Sequence, residues 1–76
     1  MDRTERFYKI EMLIRSRGSV PFTDLLDELG VSRATLQRDL DYLRERLDAP
    51  IVYDRAANGY AMRPDARDQR PVRHEL

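Results

Sequence analysis

The segment SRATLQR, residues 32–38, groups side chains whose types and spacing suit the recognition of base edges in DNA. An arginine guanidinium can bond guanine with two hydrogen bonds, a glutamine amide can do the same with adenine, and small side chains permit close approach. The segment supplies all three kinds. We expect contacts from Ser32, Arg33, Ala34, Thr35, Gln37 and Arg38.

These side chains can act together only if one helix presents them on one face. The residues Leu36, Leu40, Leu43 and Leu47 are spaced by four, three and four positions, which predicts an apolar stripe on a helix from Arg33 to about Leu47. With Leu36 placed at zero, Gln37, Ala34 and Arg38 lie at about 100°, 160° and 200°, so they point away from the core. Arg33 and Thr35 flank them.

The carboxyl-terminal half of this helix has a different outward face. Asp41 and Glu45 follow there, and phosphate would repel both carboxylates. We therefore expect only the amino-terminal half to enter a DNA groove, as is general for recognition helices. Ser32 is a strong N-cap residue and leaves the first backbone N–H groups near the surface, where they favour a phosphate.

A second predicted helix precedes this one closely. It begins near Pro21 or Phe22, buries Leu25, Leu26 and Leu29 with Phe22, and ends at the C-cap residue Gly30. Two helices joined by a short turn that contains glycine form a helix-turn-helix, with Val31 pointing inward.

A first helix, from about Thr4 to Arg17, places Phe7, Ile10 and Ile14 on one face. Residues 19–21 form a short connection with one extended residue at Val20.

After Pro50 the apolar period changes from helical to alternating. Ile51 and Tyr53 precede Asn58-Gly59, and Tyr60 and Met62 follow it, which predicts a β-hairpin over residues 51–62. Two strands need support, so the hairpin must pack on the helices as a wing. Arg55 lies near its tip, where it can contact the phosphate backbone or the minor groove.

The predicted fold is therefore mainly α with a small β-hairpin, a winged helix-turn-helix of three helices plus a wing. The domain covers residues 1–63. Residues 64–76 are polar and broken by prolines, which is typical of a linker or tail.

Composition excludes several other classes of protein. The chain has 76 residues, 14 basic and 14 acidic side chains, one histidine and no cysteine, so we expect no disulfide, no metal and no cofactor. Asp24, Asp27 and Glu28 are expected on a solvent-facing side of the second helix rather than in a catalytic site, and we expect no enzyme. No run approaches the ~20 apolar residues of a membrane span. The lack of cysteine is compatible with the cytoplasm, where we expect the protein.

The zero net charge is unevenly distributed along the chain. Residues 1–17 carry five bases and three acids, residues 18–30 carry three acids and no base, and residues 55–73 carry five bases and two acids. A basic face can therefore exist on a neutral protein.

Three segments of the chain resemble a known family of regulators. RTERFYKIEMLIRSRG, LLDELGVSRATLQRDLDYL and PIVYDRAANGYAM are similar to the amino-terminal winged helix-turn-helix of WYL-domain transcriptional regulators, a relative of the DeoR type. The resemblance covers residues 3–63. Its most specific parts are Gly30-Val31-Ser32-Arg33, Arg38-Asp39-Leu40 and Gly59-Tyr60.

The resemblance carries several expectations about function. Such regulators are bacterial, bind promoter double-stranded DNA as homodimers, and carry a following WYL domain that senses a ligand. It implies that Ser32, Arg33, Thr35, Gln37 and Arg38 contact DNA. It also implies that residues 64–76 lead to a carboxyl-terminal part absent from this chain.

Some alternatives stay open at the level of sequence. Arg38 has an alternative partner in Asp41, three positions on. Asp39 is expected to anchor a helix or a nearby arginine, and a solvated helix face is preferred over phosphate contact for Arg3 and Arg6. The alternative function is a winged-helix module that binds proteins and not DNA, which the neutral net charge favours.

Overall fold

The structure, a computed structural model, describes residues 1–66. In chain order its elements are α1 (Arg3–Arg17), β1 (Ser19–Val20), α2 (Phe22–Leu29), α3 (Arg33–Glu45), β2 (Ile51–Asp54), β3 (Gly59–Met62) and a 3-10 turn (Pro64–Ala66). Three helices and a β-hairpin confirm the predicted fold class, a winged helix-turn-helix. Among residues 1–66, every helix is too short or too polar to cross a membrane.

Local chemistry sets the helix boundaries. Asp2 and Glu5 form a capping box at the start of α1, in which each carboxylate accepts from the other residue's backbone N–H. Gly30 ends α2 in the left-handed conformation, with φ of 65°, and its N–H donates to the Leu26 carbonyl at 2.7 Å. Ser32 caps α3 two residues later, so α3 starts in a new direction.

The carboxyl end of α3 departs from the prediction. The helix ends at Glu45, and Leu47, which was predicted to extend the core stripe, is 53% exposed. The chain unwinds here: Asp48 takes a φ of +56°, and the Ala49 N–H donates to the Leu43 carbonyl at 2.8 Å. Because α3 ends at Glu45, the spacing of Leu47 from Leu43 no longer determines which way the Leu47 side chain points.

The sheet has the order β1-β3-β2, with both pairs antiparallel. The sequence predicted only one extended residue at Val20, whereas Val20 pairs with Tyr60 and adds a third strand to the wing. Asn58 makes the hairpin turn with a φ of +56°. Gly59 belongs to the strand instead, and a Cβ there would lie 2.8 Å from the backbone carbon of Val20. The glycine is therefore required by the close approach of β1.

One apolar core joins all three helices to the sheet. Its most completely buried side chains are Ile10, Ile14, Val20, Leu25, Leu36 and Leu40. Ala66 is also buried, so the first residues after the hairpin pack onto the domain. The rest of the predicted tail, residues 67–76, lies outside the described residues.

Candidate nucleic-acid interface

Helix α3 separates its side chains into two faces. Leu36, Asp39, Leu40 and Leu43 are buried, whereas Arg33, Ala34, Gln37 and Arg38 are exposed. Thr35 is half-buried at one edge. The structure thus brings all five predicted residues of this helix to a single surface, which we call the reading face: Arg33, Ala34, Thr35, Gln37 and Arg38.

Ser32 has a geometric role at the start of this face. Its Oγ accepts a hydrogen bond from the Thr35 backbone N–H at 3.1 Å and donates one to Thr35 Oγ1 at 3.1 Å. The Ser32 hydroxyl therefore caps the amino-terminal end of α3 through both of these hydrogen bonds. Ser32 is exposed, and its main effect is to fix where α3 starts and which way its first free N–H groups point.

The wing lies along one edge of the reading face. Arg33, Ala34 and Gln37 line a shallow concavity together with Phe22, Tyr53 and Tyr60. The Arg33 guanidinium lies 5.6 Å from the centre of the Phe22 ring, within cation–π range. Tyr53 meets Tyr60 edge-on at 5.2 Å, which agrees with the predicted packing of the wing. Tyr53 is nevertheless 46% exposed, so part of its ring faces the solvent beside the helix.

Asp41 organises the outer side of α3. Its Oδ1 accepts hydrogen bonds from Gln37 Nε2 at 3.2 Å and from Arg44 Nη2 at 3.1 Å. The alternative pairing of Arg38 with Asp41 is therefore not the one observed. Within residues 1–66 the Arg38 guanidinium makes no hydrogen bond or ion pair. The sequence could have indicated the Gln37–Asp41 contact, because residues four apart are neighbours on a helix.

The tip of the wing is a shaped loop over residues 55–58, between the paired residues Asp54 and Gly59. Asp54 Oδ1 accepts from the N–H groups of Ala56 and Ala57 at 3.0 and 3.3 Å. Arg55 is exposed on this loop and lies outside the concavity between wing and helix. The Arg55 side chain therefore faces solvent from a turn whose backbone is held by Asp54.

An ion pair connects α1 to the buried side of α3. Arg6 Nε donates to Asp39 Oδ2 at 2.6 Å and Arg6 Nη2 donates to Asp39 Oδ1 at 3.2 Å. The side chains are only 17% and 6% exposed. The hydrogen bond from Arg6 to Asp39 raises the pKa of Arg6 above its ordinary value, against the opposing effect of burial. Asp39 anchors an arginine as predicted, while the solvated face expected for Arg6 is wrong.

Comparison with known proteins agrees with this geometry. A family model described as an HTH domain matches residues 5–61. The chain belongs to this helix-turn-helix family. No curated protein and no solved structure matches the chain significantly. Helix-turn-helix domains bind DNA and are typically not enzymes, so membership indicates DNA as the partner. Within residues 1–66 of this helix-turn-helix domain, no three side chains of the His, Cys, Asp or Glu type gather to hold a metal.

Proposed function

We propose that this helix-turn-helix domain binds double-stranded DNA in a sequence-specific manner, as part of a transcriptional regulator. The amino-terminal half of α3 enters the major groove, where Arg33, Gln37 and Arg38 contact base edges or nearby phosphates. Ala34 permits close approach, and Ser32 and Thr35 lie at the helix end. The wing, residues 51–62, follows the backbone or the minor groove with Arg55 at its tip.

The exposed reading face of α3 is the observation that carries this proposal. Four of its five side chains are exposed and Thr35 is half-buried, while Leu36 and Leu40 are fully buried beneath them. Arg38 has no protein acceptor among the described residues, which leaves all its donors for DNA. A helix with its side chains is about 10–12 Å across, and the major groove is about 12 Å wide, so α3 has the right dimensions to enter.

We further propose that the domain is the DNA-binding part of a bacterial WYL-type regulator of the DeoR-like class, which acts as a homodimer in the cytoplasm and responds to a ligand bound elsewhere. The resemblance of residues 3–63 to such regulators supports this. Two copies of α3 would then contact successive major grooves, and the operator would have two related half-sites.

A protein-binding winged helix is the second candidate, and exposed apolar side chains on α1 favour it. Tyr8 is 71% exposed and Met12 is 43% exposed, and neither lines the concavities that contain the reading-face residues. The neutral net charge agrees with this candidate. A domain of this class would bind its partner through α1 and would tolerate substitutions on α3.

Selection of binding sites from random duplex DNA tests the proposal most directly. We expect an enriched sequence. The affinity for that sequence should fall steeply with salt, by about 0.9 logarithmic units per phosphate contact for each tenfold increase in salt concentration. Failure to enrich any sequence, together with no binding of duplex DNA at low salt, would contradict the proposal and favour the protein-binding candidate.

Matched substitutions then locate the surface. Gln37→Ala should weaken binding by roughly tenfold, because a good contact to a base is worth about 1–3 kcal/mol. Arg38→Ala should weaken it by a similar factor through the loss of a charged contact to a base or a phosphate. Arg63→Ala is the control, since Arg63 is exposed, follows the base of the hairpin and pairs with Asp65. It removes the same charge and should leave binding nearly unchanged. A loss for Arg63→Ala equal to that for Arg38→Ala would indicate a general effect of charge.

A further inference from the structure

A second concavity lies along the other edge of the reading face, between α1 and α3. Thr35 and Arg38 of α3 line it together with Arg3 and Arg6 of α1, and Phe7, Asp39 and Tyr42 complete its wall. Its volume is about 420 Å³. We call it the α1 cleft.

Arg3 is held in this cleft by aromatic rings, and no carboxylate within residues 1–66 pairs with it. Its guanidinium lies 4.1 Å from the centre of the Tyr42 ring and 5.3 Å from that of Phe7. The two rings stack on each other at 5.6 Å with an angle of 24°. Cation–π contact restrains a guanidinium but uses none of its hydrogen-bond donors. Arg3 is therefore positioned and still able to bind an anion.

The charge of the α1 cleft is positive despite its nearby acids. Asp39 is committed to Arg6 by two hydrogen bonds. Asp2 and Glu5 precede and follow Arg3, and their carboxylates are engaged with each other's backbone N–H groups in the capping box. Arg3 and Arg38 remain as cations that no acid within residues 1–66 pairs with. Two such guanidinium groups in one concavity favour a phosphate.

The position of the cleft relative to the wing indicates which phosphate it meets. With Leu36 at zero, Gln37 and Arg33 lie at about 100° and 60°, on the wing side, while Arg38 and Thr35 lie at about 200° and 260°, on the α1 side. A helix in the major groove has one phosphate backbone on each side of it. If the wing side faces one strand, the α1 cleft faces the other.

We propose that Arg3 and Arg38 together bind one backbone phosphate, on the strand that borders the major groove opposite the wing. Thr35 Oγ1 lies beside them and is not used as a donor within the described residues. This inference rests on the proposed function. It adds α1 to the DNA-binding surface and assigns Arg3 to a phosphate contact independent of base sequence.

The test is the salt dependence of DNA binding by Arg3→Ala. Loss of one of the two cations at this phosphate should reduce the slope of log affinity against log salt by at most about 0.9. The loss of affinity relative to the unaltered protein should therefore shrink by at most about threefold to fourfold between 50 and 200 mM salt. The loss should be equal on the selected site and on random duplex DNA, because a phosphate carries no sequence information. Arg3→Lys should recover most of the slope.

Arg46→Ala is the matched control. Arg46 also lies over the Tyr42 ring, at 5.4 Å, but it does not line the α1 cleft. Arg46→Ala removes a cation from the same ring as Arg3→Ala does, and it should leave the slope of log affinity against log salt unchanged. Tyr42→Phe should behave as the unaltered protein, whereas Tyr42→Leu should bind less tightly because Arg3 loses its restraint. Thermal unfolding followed by circular dichroism verifies that each variant is folded.

Replacement of single phosphates by uncharged methylphosphonate identifies the partner. At one position the replacement should weaken binding by the unaltered protein and by Arg46→Ala more than it weakens binding by Arg3→Ala, in which only Arg38 still contacts that phosphate. An unchanged salt slope for Arg3→Ala overturns this inference and leaves the proposed function standing. Absence of any DNA binding by the unaltered chain overturns both.

Discussion

Arg6 of α1 and Asp39 of α3 form an ion pair with two hydrogen bonds, Nε–Oδ2 at 2.6 Å and Nη2–Oδ1 at 3.2 Å, on the buried side of α3. The pair connects elements 33 residues apart in sequence. Arg6→Leu would leave the Asp39 carboxylate buried without its partner. We expect a loss of about 3 kcal/mol in the free energy of unfolding, the lower end of the range for a broken buried pair because Arg6 retains some solvent contact. Urea denaturation measures it.

The exposed pair Arg17–Glu28 offers a control, with side chains 44% and 38% exposed. Glu28→Gln should cost at most about 1 kcal/mol. The double variant Arg6→Leu/Asp39→Leu should recover much of the stability lost in Arg6→Leu, since apolar replacement of a buried pair is often neutral. If Arg6→Leu costs no more than Glu28→Gln, the pair does not fix α3 to α1.

Gly59 and Gly30 should respond oppositely to the same substitutions. A Cβ on Gly59 would lie 2.8 and 2.9 Å from the backbone carbon and oxygen of Val20, so β1 must move, at a cost of about 1–3 kcal/mol for Gly59→Ala. Gly59→Asn should cost more, because it is larger. Around Gly30 there is open space and only its φ of +65° matters. Gly30→Asn should therefore cost less than Gly30→Ala, since asparagine tolerates this conformation.

Thermal unfolding of the four variants provides the comparison. The order of stability between alanine and asparagine should reverse from one glycine to the other. The same order at both positions would mean that close packing of β1 against β3 does not determine the choice of glycine at residue 59.

The helices were predictable because their signals are local. Leucine spacing, Gly30 as C-cap and Ser32 as N-cap lie within a few residues of the structure they determine, and the helix-turn-helix follows from them. The outward direction of Gln37 and Arg38 follows from the same spacing, because a buried leucine stripe fixes the opposite face of the helix.

Features that depend on distant residues were not predictable in this way. The strand β1 has two residues, too few for an alternating pattern, and it exists because β3 offers it an edge. Leu47 has the spacing of the leucine stripe, but α3 ends before it. The sequence did not predict which arginine pairs with Asp39, because Arg6 is 33 residues away and reaches it only in the folded chain. The α1 cleft likewise needs α1 and α3 to be packed together.

Ser32 separates the stability of α3 from its affinity for DNA. Ser32→Ala removes the hydrogen bond from the Thr35 N–H at 3.1 Å and should cost about 1 kcal/mol of stability. Ser32→Asp retains a capping oxygen, so stability should change by only a few tenths of a kcal/mol. Its negative charge beside the reading face should nevertheless weaken DNA binding, because phosphates approach there. Denaturation and fluorescence anisotropy together test this. Parallel losses of stability and affinity in both variants would show that Ser32 acts only on folding.

Asp41 should influence specificity and affinity in opposite directions. Its carboxylate accepts a hydrogen bond from the Gln37 amide at 3.2 Å, and it is also an acid on the helix that we propose enters the major groove. Asp41→Ala removes both effects: affinity for random duplex DNA should rise modestly, while the base preference at the position contacted by Gln37 should become weaker. Asp41→Asn retains an acceptor for the amide without the charge, so it should raise affinity for random DNA and keep the preference. Site selection with the three proteins, at one salt concentration, measures both quantities. An unchanged preference in Asp41→Ala would mean that Gln37 needs no restraint from Asp41 to recognise its base.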